Sequence, residues 1–492
     1  MATWLWQNDT IAEENFVSDT ASISAEGTDV EWLDEEEKRA RRKVDSTVLP
    51  LLFLGLLVFQ LDRMNLASAL TDGFAKNIGI DQTTVNLGNQ LMFMGIVVFE
   101  IPCNMALQRW VYTRLQRAKH TPPLRIGPRK WIPLQVFLFG LVATLQVLVR
   151  NRTGFLVARL MLGFAEAGYI PGAAYTLSTW YKKRELAKRI AVFFFGMFAG
   201  NALSPILASG ILQLGEEGLK GWQWLFLIEG VFTIIVSISL LFLLPGSPDT
   251  PKPLFSRGGI RFTEDDQRIL QQRLERDDKE KRYGAQGMNI PLSVVWKTVT
   301  HYRRWPHFVS TFAVFSTWSP LTTYTPSIIM ALGFDRTAAN ALSAVGASLA
   351  LAVVFFFAYV SDRTNKRGFS VVGAHTCYLI ALVVARSVHP HVGKWSRWGL
   401  WTAVNAFAVG YHPVHNSMWV MSAISGLMVG TQYFRGSDVP FYQTGLRTLI
   451  IMVSVGMFFA LLQIGIYTNH NKRVASGKYK AKNGEEPMIY VP

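Results

Sequence analysis

Twelve apolar stretches, each close to the length that crosses a bilayer, dominate this chain. They run at about 46–66, 85–107, 131–149, 154–178, 190–213, 222–244, 306–330, 337–361, 369–388, 398–417, 418–434 and 446–467. A helix needs about 20 predominantly apolar residues to span the hydrocarbon core. Of 492 residues, 50% are hydrophobic and only 17% charged, with 32 Phe and 15 Trp. That composition predicts an all-α membrane protein rather than a soluble enzyme. The formal charge of +15 could suggest nucleic acid, but the basic residues fall between the spans, where the positive-inside rule puts them. Cys103 and Cys377 lie inside apolar spans, so neither a disulfide nor a zinc site is expected, and no cofactor. The first 45 residues are polar and mostly acidic, ending in KRARRK (38–43), which is unlike a secretory signal.

The basic clusters orient the spans. They fall at 38–43, at Arg129 and Lys130, at 181–189, at 362–367 and after the last span. All lie on one side if the N-terminus is cytoplasmic; the opposite loops, such as 67–84 and 214–221, are short and nearly balanced in charge. The expected organisation is a cytoplasmic tail (1–45), a six-helix bundle (46–244), a polar cytoplasmic link (245–304), a second six-helix bundle (305–467) and a tail (468–492). The halves carry a matching signal. GPRK (127–130) follows the second span of one, and SDRTNKRG (361–368) the second span of the other. Arg109, Gly127, Arg129, Asp362 and Arg363 are the residues of these turns expected to gate.

Charge inside the spans marks the candidate chemistry. The stretch from Gly154 to Trp180 carries Arg159 and Glu166. A buried charge in a membrane is costly unless it faces a partner or a water-filled path. Seven residues is nearly two turns, so the pair shares a face, about 10 Å apart along the axis. Each therefore needs a partner elsewhere. Arg159 reads as an anion-binding group, since its planar fork suits a carboxylate, or as a structural partner of Asp62 or another carboxylate. Glu166 reads as a proton carrier or as a hydrogen-bonded packing residue. Asp62 and Arg63 end the first span, as a gate or binding pair or as a structural pair with each other. Glu100 and Glu229 are further intramembrane carboxyls, Glu229 the more structural. In the second half Trp318, Thr322, Thr323 and Tyr324, with Asn405, Tyr411, His412 and His415, could orient a ligand. The HxxH of His412 and His415 lacks a carboxylate and has Pro413 inside it, so it reads as a bend, not a metal site. Gly196, Gly200, Pro205 and Gly210 suit a close helix crossing on the fifth span.

Several runs together resemble the major facilitator superfamily, and within it the fungal anion:cation symporters that include allantoate, pantothenate and nicotinate permeases. They are FQLDRMNLASA (59–69), FEIPCNM (99–105), RLMLGFAEAGYIPGAAYTLSTWY (159–181), GWQWLFLIEG (221–230), LPGSPD (244–249) and FSTWSPLTTYTPSI (315–328). The resemblance covers about 44–470. It implies a twelve-helix transporter of the fungal plasma membrane, monomeric, moving a small organic anion together with protons by alternating access. A nutrient sensor that binds without transporting, or an inactive splice or gene variant, are the alternatives. Two departures bear on the last. Residues 110–125 interrupt a turn that is tight in the family; without them Gln108 and Arg109 would meet Ile126 and Gly127, as though an intron had been retained, and a basic unordered loop is expected there. At GYHPVHNSMWVMSA (410–423) two spans meet without the family's polar connection, which predicts a truncated tenth helix.

Overall fold

In lipid a backbone must satisfy its own N–H and C=O groups, and the helix does so within one segment. The computed structural model describes residues 34–116, 127–215, 218–248, 251–254, 262–277, 304–364, 366–410, 420–439 and 441–476. Among the described residues the first half holds α1 (Asp34–Thr71), α2 (Phe74–Asn77), α3 (Gln82–Gln116), α4 (Pro128–Leu145), α5 (Arg152–Glu166), α6 (Tyr169–Trp180), α7 (Lys183–Ile211) and α8 (Gly221–Leu243). The link contributes α9 (Glu264–Asp277). The second half holds α10 (Trp305–Phe315), α11 (Trp318–Ala331), α12 (Arg336–Thr364), α13 (Arg367–Val388), α14 (Lys394–Phe407), α15 (Val420–Gly430) and α16 (Gln443–Ala475). Helix α1 packs on α7 and α8, α3 on α5, and α4 on α8; the second half pairs α10 and α13 with α16, and α12 with α14. The halves meet where α7 crosses α12, α1 crosses α11 and α3 crosses α15.

Helix α1 begins well before the apolar run expected from about residue 46. Asp34, Glu35, Glu36 and Glu37 fill its first turn, where the helix dipole favours anions. Its polar start is clamped by ion pairs of Glu37 with Lys182 (2.6 Å), Arg41 with Glu185 (3.1 Å), Asp45 with Arg189 (3.0 Å), and Lys43 with Asp266. The last belongs to α9, which docks on this end of the first half. Thr263 and Asp266 cap α9 reciprocally, Thr263 N–H donating to Asp266 Oδ2 (2.9 Å) and Asp266 N–H to Thr263 Oγ1 (3.2 Å). Burial pushes the Asp266 carboxyl up, but the hydrogen bonds from Lys43 and Thr263 outweigh it and hold the group below the usual carboxylate range. Leu270 and the fully enclosed Arg273 face inward; Arg273 Nη2 donates to Glu185 (3.1 Å) and to the Trp180 carbonyl (3.1 Å). This end of the molecule is called the basic end below, and the end where α1 finishes the far end.

Several sequence expectations need correction. Asp62 and Arg63 do not end the first helix, which continues to Thr71. The fourth span is two helices, broken at Ala167 and Gly168. Gly168 sits where a β-carbon would lie 3.0 Å from both Trp131 and Gln135, and its carbonyl accepts from Trp131 Nε1 (3.3 Å). The seventh span is likewise broken at Ser316 and Thr317. Residues 110–116 extend α3 as helix rather than forming a loop, while 117–126 lie outside the described residues. Helix α14 ends at Phe407 and α15 is described from Val420; the expected truncation of the tenth helix falls at 411–419, outside the described residues. The predicted bend at Tyr411, His412 and His415 lies outside the described residues.

Small residues set how near the helices come. On α7, side chains at Gly196 and Gly200 would press on the Phe53 and Leu57 carbonyls of α1, whereas Gly210 faces open space. At the α3–α5 crossing a methyl on Gly163 would run into the backbone carbonyl of Met92. Backbone cannot yield as a side chain does. Gly163→Ala is therefore expected to cost about 1–3 kcal/mol, read as a lower melting temperature of the purified protein; an unchanged melting temperature would refute the close crossing.

Candidate functional site

On α1, Gln60, Arg63, Met64 and Ala67 recur at i, i+3, i+4 and i+7, one face of a helix. That face looks onto the boundary between the halves, where two adjoining cavities of about 40 Å³ each lie. The first is walled by this face, by Asn89, Met92 and Phe93 of α3, and by Thr323 of α11. The second is walled by Asn201 of α7, Thr325 of α11, Ser343 of α12 and Asn405 of α14. Met64, Trp318 and Thr322 are common to both. The volumes hold a water or two, so the pair is a collapsed space rather than an open pocket.

Arg63 is the charged group of this lining. Its Nε donates to Glu166 Oε2 at 2.7 Å, and its guanidinium lies over the rings of Phe59 (4.4 Å) and Phe93 (5.6 Å). Glu166 closes α5, where the negative end of the helix dipole disfavours an anion; Arg63 supplies the compensating charge. The second Glu166 oxygen has no hydrogen-bond partner among the described residues. Arg159 stands behind the wall. It is 1% exposed, its Nη1 is 3.8 Å from Met92 Sδ, and it lies within electrostatic reach of Glu166 and Arg63.

Asp62, one residue from Arg63, points away from the cavity. The Thr233 hydroxyl and the Glu229 and Glu166 carboxyls surround it, and neither of its oxygens finds a hydrogen-bond partner among the described residues. Arg63 thus pairs with Glu166, not with Asp62, and Arg159 does not pair with Asp62. Asn65, with its amide nitrogen turned to the two acceptors facing it, donates to Leu61 O (3.1 Å) and Glu229 Oε2 (2.5 Å). Glu100 is buried on α3 beside Cys103, away from the two cavities, with one oxygen unpartnered among the described residues.

The second-half candidates divide. Trp318, Thr322 and Asn405 line the cavities; Asn405 donates to Trp401 O (2.8 Å) and accepts from Thr325 Oγ1 (3.1 Å). Tyr324 instead closes the far end, its hydroxyl donating to Asn86 Oδ1 (2.5 Å) and its ring packing on Phe434 and Tyr442. His412 lies outside the described residues, as does the side chain of Arg109. Gly127 caps α4 in extended conformation, and Arg129 donates to Lys252 O (3.3 Å) at the basic end. Asp362 and Arg363 are exposed at the end of α12.

Sequence reading missed the far-end seal. Asp72 pairs with Arg336 of the other half and accepts from Trp222 N–H (2.8 Å). Asn340 donates to Thr71 Oγ1 (2.9 Å), Asn86 to Phe434 O (2.9 Å), Gln82 to Phe434 O (3.2 Å) and Asn89 to Thr323 (3.2 Å). One signal was available: Gln82, Asn86 and Asn89 recur at i, i+4 and i+7 within an apolar span. The described cross-half hydrogen bonds gather at this end, so the structure is closed there.

Comparison with known proteins agrees with this architecture. The profile of the Major Facilitator Superfamily matches residues 52–479. An uncharacterized transporter of Saccharomyces cerevisiae is 25% identical over 478 residues, covering 94% of this chain and 85% of its own. A candidate tartrate transporter of Agrobacterium vitis is 26% identical over 445 residues, 90% of this chain and 91% of its own. Among solved structures, a bacterial homologue of the human lysosomal transporter Spinster, inward-facing and unoccupied, superposes with a TM-score of 0.59 at 13% identity, covering 88% of this chain and 98% of its own.

Proposed function

Given that the chain belongs to the Major Facilitator Superfamily and is a multi-pass membrane transporter, we propose that it carries a small organic anion together with a proton into the cell across the fungal plasma membrane. The observation behind this reading is the ion pair that Arg63, a residue of the cavity wall, makes with the enclosed Glu166. An incoming carboxylate or sulfonate competes with Glu166 for the same guanidinium, whose fork of donors suits it. Glu166 released from Arg63 would be a buried charge without a partner, which is costly unless it takes up a proton. Anion and proton binding are then coupled, and coupling is reciprocal. Arg159 backs this site and reinforces its positive potential. Asp62, Glu100 and Glu229 are the alternative proton carriers.

In this reading the basic end faces the cytoplasm, as the positive-inside rule favours, and the Asp72–Arg336 pair is the outer gate. The relative named for tartrate fits an organic anion; an allantoate-, vitamin- or sulfonate-like cargo follows from the resemblance above. The alternatives are a sensor that binds without transporting and a chain that no longer transports. Expression in a permease-deficient yeast offered single nitrogen, sulfur or vitamin sources decides between them. Accumulation of at least one small organic anion is expected. Surface expression with accumulation of none would overturn the reading, and binding without accumulation would identify a sensor.

A further inference from the structure

The ion pairs that clamp α1 to α7 leave three cations over. Glu37 holds Lys182, Arg41 holds Glu185 and Asp45 holds Arg189 along the seam between the two helices. Arg42, Arg184 and Lys188 stand among these residues and are exposed, and their side chains make no hydrogen bond or ion pair among the described residues. The nearby acids are taken: Glu185 also holds Arg273, Asp266 holds Lys43, and Glu35 holds Lys38.

The three cations lie on one side of the seam. The pairs advance in step along both chains, so α1 and α7 run parallel there. Arg42 is one residue after Arg41, and Arg184 one before Glu185. At about 100° per residue, these are rotations toward the same side of two parallel helices. The opposite side is filled, with Ala40, Val44, Leu186 and Ile190 buried. A ring stack marks the open side: Phe53 of α1 and Phe195 of α7 meet with centroids 6.2 Å apart. Phe53 is about three turns beyond Arg42 and Phe195 about two beyond Lys188, each on the face of its cation. The same row of α7 continues through Val192, Leu203 and Ile206, all exposed. In a membrane transporter such a stripe faces hydrocarbon. Lys188 ends it at the basic end, at the depth where Lys and Arg reach the headgroups.

We propose that this corner binds an anionic phospholipid of the leaflet at the basic end. Arg42, Arg184 and Lys188 take its phosphate, and its acyl chains lie along the Phe53–Phe195 seam. Arginine offers phosphate a fork of donors and lysine a point charge. The apolar stripe running from the cations selects a lipid over a soluble phosphate. The site is independent of the cargo that the central cavities carry.

The test titrates phosphatidylserine with a fluorescent tail, and the matching phosphatidylcholine, into the purified full-length protein in dodecyl maltoside. Phosphatidylserine is expected to bind saturably and at least about tenfold more tightly. Equal binding of the two lipids by the unaltered protein, which needs no variant to fold, overturns the assignment. Combined Arg42→Gln, Arg184→Gln and Lys188→Gln should abolish the preference. Lys366→Gln, Lys472→Gln and Arg473→Gln together remove the same charge elsewhere and should keep it; equal loss in both triple variants would show diffuse attraction and no site. The first triple variant should melt as the unaltered protein does, since none of its residues holds an ion pair. A marked fall would make these residues structural and overturn the inference. Displacement of the lipid by glycerophosphoserine at comparable concentration would show a soluble-phosphate site and overturn it too.

Discussion

Arg63→Ala is expected to abolish uptake of the organic anion, and the stability of the protein should separate two reasons for the loss. Arg63 lines the cavity and its Nε holds Glu166 at 2.7 Å, with the Glu166 side chain fully buried. Removing one member of a buried ion pair costs about 3–5 kcal/mol, because the other charge is left unpartnered. Arg63→Ala alone should therefore express poorly and melt early. Adding Glu166→Gln removes the stranded charge, so the double variant should recover most of the lost stability. It should not recover uptake, because the anion has lost its cation; that loss is worth about 2–5 kcal/mol of binding, or more than about 30-fold in affinity. Melting curves and uptake on the unaltered protein, the two single variants and the double variant decide it. Recovery of uptake with stability would make Arg63 a purely structural partner and move the anion site to Arg159, whose guanidinium is the other buried cation within reach.

The spans were legible because hydrophobic length is a local property: each apolar run announces itself within some twenty residues. The breaks at 167–168 and 316–317 were overlooked although a local cause is present: Pro171 and Pro320 stand four residues beyond Ala167 and Ser316, and a proline has no N–H to bond that carbonyl and crowds it. The pairing of charges was half legible. Asp62 and Arg63 are adjacent in sequence and tempt one to pair them, but successive residues on a helix point about 100° apart. Helical geometry alone sends one to the cavity and the other toward Glu229. Finding Glu166 as the partner of Arg63 needed the fold, since 103 residues separate them. Gln60 was overlooked because an amide in an apolar run carries no charge to flag it; only its place one turn before Arg63 could have done so. The far-end seal joins residues as distant as Asp72 and Arg336, and nothing local encodes such a match.

Glu166→Gln is expected to uncouple the transporter without closing its path. Accumulating a monovalent anion against an inside-negative potential costs about 2.3 kcal/mol per 100 mV. One proton carried with it cancels that charge, and the pH gradient then drives uptake, which should be faster at acidic external pH and collapse with a protonophore. The carboxyl that carries the proton must feel the anion, and Glu166 does so through their shared guanidinium, with its second oxygen free among the described residues. A glutamine there still hydrogen-bonds but cannot ionise. The variant should lose accumulation driven by a pH gradient and keep exchange of labelled for unlabelled anion, since exchange needs the anion site and the rocking of the halves but no net proton movement. The two assays on one preparation of vesicles give the answer. If Glu166→Gln still accumulates substrate when the outside is acidified, coupling lies elsewhere. Asp62 is then the next carboxyl to replace, because it is fully buried, unpaired among the described residues and within electrostatic reach of both Glu166 and Glu229.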